Sequence, residues 1–124
     1  MEFYQKYLEE AENKKLYKTD KGFIVYKFRS RYNLLLEIIW ISPEYRTSTA
    51  AMEFAGDLFY TLGGANFDMY GEVDECHPNK TRMLSHYFQM GFEVDEMKPS
   101  KVIIKMPREK VLENYNNYLE SLNR

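Results

Sequence analysis

The chain of 124 residues has little of what punctuates or staples a small fold. Its one cysteine, Cys76, excludes an internal disulfide framework and any multi-cysteine zinc site. Six glycines and four prolines are dispersed, and no Gly/Ser/Pro-rich linker marks an internal boundary. No sequence period points to a repeat architecture. The longest apolar runs, Leu34–Leu36 and Ile38–Ile41, are split by Glu37 and fall far short of the roughly 20 residues a membrane span requires. Neither sign of charge dominates: 17 Lys+Arg against 19 Asp+Glu leave a net charge of −2, which disfavours a nucleic-acid binder. The opening Met-Glu-Phe-Tyr-Gln-Lys is not a basic-then-apolar leader. What is plentiful is apolar and aromatic side chain, 44% and 16%, enough for one real core. The expectation is a soluble, cytoplasmic, single-domain protein over residues 1–124, partnered by neither membrane nor nucleic acid.

Apolar spacing predicts the elements. Phe3, Tyr4, Tyr7, Leu8 and Ala11 recur at three-four spacing, and a helix is expected over 2–18. Gly22–Arg29 and Leu34–Ser42 read as strands joined by a short hairpin loop at Ser30–Asn33. The second is apolar on both faces apart from Glu37, as in a strand covered on both sides. A helix from Thr47 to Leu62 follows, with Ala51, Phe54, Ala55, Leu58 and Leu62 on its buried stripe and Gly63-Gly64 as its stop. Asn66–Val73 is a third strand. Pro78-Asn79 opens a helix with Met83, Leu84, Tyr87 and Phe88 inward, ended by Gly91. Two short strands, Phe92–Asp95 and Val102–Met106, precede a last helix over 108–122, with Val111, Leu112, Tyr115, Tyr118, Leu119 and Leu122 on one side. The order α-β-β-α-β-α-β-β-α describes an α+β (mixed α/β) fold. Its strand–helix–strand middle predicts that the 34–42 and 66–73 strands are parallel neighbours.

The informative stretch is Leu36 to Ala51, a strand, a tight turn and a helix start rich in small and hydroxylated residues. A helix start presents unpaired amides and a positive dipole end, which suit a pyrophosphate, and Arg46 adds a cation at that edge. A plain connection capped by Ser48 or Thr49 has the same local pattern. Glu37 is the one charge in an apolar strand, where burial raises a carboxylate's pKa and fits it to accept a proton from an ammonium. Pairing with Arg29 or Lys27 across the hairpin is its structural alternative.

Pro43-Glu44-Tyr45-Arg46 after a strand ending Trp-Ile-Ser resembles the acetyl-CoA signature of the GNAT superfamily of N-acetyltransferases, Arg/Gln-x-x-Gly-x-Gly/Ala. Arg46 and Ala51 match its first and last positions, Thr49 stands at the central glycine, and Thr47 where a further glycine is frequent. Asn79 through Tyr87-Phe88-Gln89-Met90-Gly91-Phe92 resembles the family's Asn…Tyr-x-x-x-Gly-Phe element, with Asn79 one residue further from the tyrosine than usual. The resemblance covers roughly 22–106 and implies an abbreviated GNAT-like sheet with an extra C-terminal helix. Short versions of the pattern look like those encoded by bacteriophages, in which case the host cytoplasm is the compartment.

By that resemblance acetyl-CoA is the cosubstrate. Backbone groups near Ile39 and Ile41 pair with its pantetheine arm, in a slot where this strand and the next splay apart. Arg46 and the amides of Thr47, Ser48, Thr49, Ala50 and Ala51 hold the pyrophosphate, and Asn79 contacts the arm. Tyr87 is the general acid for the leaving thiolate, or else a core tyrosine. Glu37 is the base. The reaction implied is acetyl transfer to a primary amine by direct attack; the alternative is an inactive GNAT-like fold serving as a protein-interaction, virion-assembly or inhibitor module. Other residues offer less. Cys76 and His77 are neighbours whose side chains point apart in extended chain. No carboxylates are identifiable that would complete a metal site with His77 or His86, so no metal is expected. Glu72, Asp74 and Glu75 with His77 read as an acidic loop suited to a cationic substrate. The 108–122 helix covers the sheet or binds another chain, a second copy included.

Overall fold

The computed structural model describes residues 2–123. Its elements run α1 (Glu2–Ala11), β1 (Lys15–Thr19), β2 (Gly22–Ser30), β3 (Asn33–Ile41), a 3-10 turn at Pro43–Tyr45, α2 (Ala50–Leu62), β4 (Asp68–Asp74), α3 (Lys80–Met90), β5 (Glu93–Met97), β6 (Lys101–Met106) and α4 (Arg108–Leu122). The six strands form one mixed sheet in the order β1-β2-β3-β4-β6-β5. As expected, β3 and β4 are parallel neighbours, while every other pair is antiparallel.

The first helix is shorter than expected. It stops at Ala11, and Lys15–Thr19 is a strand on β2, from Lys15 opposite Tyr26 to Thr19 opposite Gly22. The apolar spacing itself ends at Ala11. Asn13 then takes a left-handed conformation (φ 55°), which asparagine adopts more readily than most residues, and the Lys14 amide donates to the Leu8 carbonyl at 2.9 Å. α2 also begins later, at Ala50 rather than Thr47, after the 3-10 turn that Pro43 opens.

The main core gathers Ile24, Tyr26, Leu34 and Leu36 with Phe54, Ala55, Leu58 and Phe59 of α2, Met90 of α3, and Val111 and Tyr115 of α4. Leu8, Val25 and Leu35, at alternate positions, are buried outside that cluster, which accounts for the double-sided first half of β3. The second half is not covered on both faces: Ile38 and Trp40 are 41% and 44% exposed. Phe88 and Leu62 are likewise exposed, and Met90 is the buried residue of α3. α4 buries Val111 and Tyr115 but leaves Leu112 and Leu122 largely in solvent. It approaches α2 closely at Gly56, where a Cβ would stand 2.5 Å from the Tyr118 ring. The Tyr118 hydroxyl donates to Asp57 beside it.

One irregularity shapes the site. Val25 pairs with Ile38 and Tyr26 with Leu36, so Glu37 has no partner on β2 and is the extra residue of a β-bulge. Side chains alternate with period two, so the bulge shifts the inward positions from Leu34 and Leu36 to Ile39 and Ile41.

Candidate active site

β3 pairs with β4 only from Asn33 opposite Asp68 to Leu36 opposite Gly71. Beyond that point β3 keeps to β2 as far as Ile41, and β4 keeps to β6 as far as Asp74. A cavity of about 490 Å³ lies past the divergence, lined by Ile39, Trp40 and Ile41 of β3, Arg46 and Thr47 of the turn, Ala50 and Ala51 of α2, and one face of α3. That face carries Asn79, Arg82, Met83, His86 and Tyr87 at three-four spacing.

The start of α2 is open towards ligands. The Ala50 amide reaches the Thr47 carbonyl only at 3.3 Å, and the amides of Ala51 and Met52 meet no acceptor among the described residues. Arg46 donates from Nε to the Ile41 carbonyl at 2.8 Å, and its guanidinium lies 5.9 Å from the Trp40 ring centre. Thr49 precedes α2 without capping it; its hydroxyl donates to Glu53 at 3.0 Å. Neither Ser48 nor Thr49 lines the cavity, so the threonine at the family's glycine position does not obstruct it.

Tyr87 is half-buried on the inner face of α3, and burial raises its phenol pKa above the ordinary value of 10.0. Its ring meets Phe92 edge to face at 5.5 Å. The Tyr-x-x-x-Gly-Phe element is the end of that helix. Gly91 takes φ +112°, and the Phe92 amide donates to the Tyr87 carbonyl at 3.1 Å, a closure that favours glycine. Asn79 precedes α3 and leaves its side chain unengaged by the helix start. Its own amide donates to His77 Nδ1 at 3.0 Å.

Glu37 does not line the cavity. Its carboxylate pairs with Lys14 at 2.6 Å, rather than with Arg29 or Lys27. Arg29 is bonded to Asn33 and stacked over Tyr70. The acidic loop is engaged internally: Glu72 pairs with Lys101, Glu75 with Lys80, and Asp74 accepts the Cys76 amide. Among the described residues no three His, Cys, Asp or Glu side chains gather as for a metal, and no helix is long and apolar enough to cross a membrane. Trp40, Arg82, Met83 and His86 were not singled out as site residues from sequence. The three on α3 share the stripe of Asn79 and Tyr87, a signal the sequence does contain.

No family model and no curated protein matches the chain. Solved structures do. The apo form of FdhC, described as a nucleotide-linked sugar GNAT, superposes with a TM-score of 0.63 at 20% identity, over 95% of this chain and 71% of that one. A Desulfovibrio desulfuricans protein of the GNAT family superposes with a TM-score of 0.57 at 15% identity, over 74% of this chain and 66% of that one. The anti-CRISPR protein AcrVA5 has a TM-score of 0.50 at 11% identity, over 73% and 96%. This chain thus spans about two thirds of the Desulfovibrio protein's length. The fold is GNAT-like, six mixed strands and four helices, and fold alone does not fix activity.

Proposed function

We propose that the chain is an N-acetyltransferase that moves an acetyl group from acetyl-CoA to a primary amine by direct attack. One observation carries the reading. The cavity past the β3/β4 divergence runs onto the free amides at the start of α2, with Arg46 on its rim. Amides and guanidinium supply the donors and positive charge that a pyrophosphate requires. The strand edge at Ile39–Ile41, which has no β4 partner, offers backbone groups to the amides of a pantetheine arm. Asn79 adds a side-chain amide on the opposite wall. The fit is therefore to a long, kinked anion with a polar arm.

The residues then divide the work. Tyr87 carries its proton at neutral pH, as a phenol does and the more so where burial disfavours the phenolate, and its place on the cavity wall puts that proton within reach of a thiolate leaving group. Glu37 takes a proton from the acceptor's ammonium, directly or through water, once its own partner Lys14 moves aside, and the neutral amine then attacks the thioester carbon as the thiolate leaves. Calorimetry with acetyl-CoA, followed by a thiol-release assay with a panel of amines, tests this. Binding with amine-dependent thiol release is expected; no binding refutes it.

The engagement of Glu37 by Lys14 favours one second reading, a GNAT-like fold without catalysis that serves as an interaction or inhibitor module. Acetyl-CoA binding without thiol release for any amine is its signature.

A further inference from the structure

The bulge in β3 leaves two apolar side chains uncovered just where the strand has left β4. Ile38 and Trp40 point to the outer face of the sheet and are 41% and 44% exposed. Phe23, opposite Trp40 on β2, stacks on it with ring centres 5.8 Å apart and planes at 26°. Arg46, tied to the Ile41 carbonyl and 5.9 Å from the indole centre, does not close the ring off. Trp40 also lines the cavity, so it stands where the cavity reaches the outer face through the slot between the strands. The far lip of that slot differs. There Tyr70 is covered by Arg29 at 4.7 Å and Lys105 at 5.5 Å, and Glu72 pairs with Lys101. The β2/β3 lip is thus apolar and partly uncovered, and the β4 lip is polar and engaged.

We propose that Phe23, Ile38 and Trp40 form the docking subsite of the acceptor, and that the acceptor is a primary amine carried on an aromatic ring. The inference rests on the acetyltransferase reading for the amine, and on the exposed face itself for the ring. In that reading the pyrophosphate and arm take the α2 and α3 walls of the cavity, which leaves the outer lip to the second substrate. A ring laid against Trp40 directs its amine stem into the slot. The area selects a small molecule over a second copy of the chain: Trp40 and Ile38 together expose roughly 200 Å², against about 800 Å² per partner in a stable protein interface. A ring gains apolar burial and an aromatic contact with the indole, and a short alkylamine gains neither.

Trp40 is the single tryptophan of the chain, so its fluorescence reads the subsite. The probes are phenethylamine and ethylamine, which share the amine and stem and differ by the ring. Without acetyl donor, phenethylamine should change the wild-type fluorescence saturably and ethylamine should not. With acetyl-CoA, kcat/KM should favour phenethylamine by about tenfold or more, and Trp40→Ala should cut that preference to within about twofold. The preference compares two amines on one protein, so any effect of the variant on the cofactor cancels. Should Trp40→Ala fail to fold, Phe23→Leu removes the stacking partner, keeps the tryptophan, and should weaken the phenethylamine titration by about threefold or more. Transfer to both amines at equal kcat/KM overturns the proposal and leaves the enzyme reading intact. A saturable phenethylamine signal in a protein that transfers to neither amine keeps the subsite and removes the enzyme. Fluorescence that phenethylamine leaves unmoved overturns the proposal too, and assigns the face to a second copy if sedimentation shows a dimer that Trp40→Ala dissociates.

Discussion

Deleting Glu37 separates the fold from the site. Val25–Ile38 and Tyr26–Leu36 are already paired, so removing the residue between them leaves every other partner in register and makes the ladder regular there, with the shift between Phe28 and Ser30 unchanged. Ile39 and Ile41 keep facing the core, because the deletion restores strict alternation from Leu36 to Ile38. The stability terms are small and opposed. The Lys14–Glu37 pair is partly exposed, with side chains 21% and 26% accessible, and such pairs contribute about 0–1 kcal/mol. A straightened β3 can extend its pairing with β4, and each added ladder bond contributes about 0.5–1.5 kcal/mol. The net change should lie within about 1 kcal/mol, a shift in Tm of a few degrees for a chain of this length. The site should not survive. A bulge bends and twists its strand, and here it stands where β3 leaves β4. With the strands closed, the arm has no entry, and acetyl-CoA affinity should fall by about 100-fold or more, roughly 2.7 kcal/mol. Thermal melts and calorimetry on one preparation read both numbers. A deletion variant that binds acetyl-CoA like the wild type refutes the role of the bulge; one that loses about 3 kcal/mol or more refutes the register argument.

Three further outcomes are expected. Arg46→Glu replaces attraction by repulsion at the α2 start and should weaken acetyl-CoA by about tenfold or more at low salt, with the difference shrinking as salt screens it, whereas Thr49→Gly, whose lost hydroxyl faces Glu53, should leave affinity within about threefold, both by calorimetry. Tyr87→Phe keeps the packing on Phe92 and should lower the transfer rate by about 100-fold or more at unchanged acetyl-CoA affinity; because burial raises the phenol pKa, the wild-type pH–rate profile should show no loss of this acid below its ordinary value of 10.0. Gly56→Ala gains about 1 kcal/mol of helix propensity but drives a methyl into the Tyr118 ring, so it should lower Tm in the wild type and raise it in a Tyr118→Ala background.

The parts legible in the sequence were those with local causes. The Tyr-x-x-x-Gly-Phe element is one helix end, with Gly91 supplying the left-handed turn and Phe92 folding back on Tyr87, so its spacing in sequence is its geometry in space. The β3–α2–β4 order likewise yields the parallel pair. Two features were not legible because their causes are not local. Lys15–Thr19 is a strand only because β2 offers it an edge, and its own residues, three polar in five, carry little strand signal. The bulge at Glu37 is a mismatch between two strands, invisible in either alone; it left Ile38 and Trp40 outward where uniform apolarity suggested cover. The partner of Glu37 was missed for the same reason, since Lys14 comes from the turn after α1 rather than from the hairpin. On α3, Arg82 and His86 did lie on a readable stripe, but a cavity defines a functional face only when its other wall is known.

Amide chemical shifts of the labelled wild-type protein, titrated with coenzyme A, test most directly that the pyrophosphate and arm lie in the cavity past the β3/β4 divergence. The account predicts saturable shifts at Ile39–Ile41, at Arg46 to Met52, and along the Asn79 to Tyr87 face of α3, with α4 silent. Saturation with shifts confined to α4 and the β5 edge, or no shifts at millimolar coenzyme A, would contradict it.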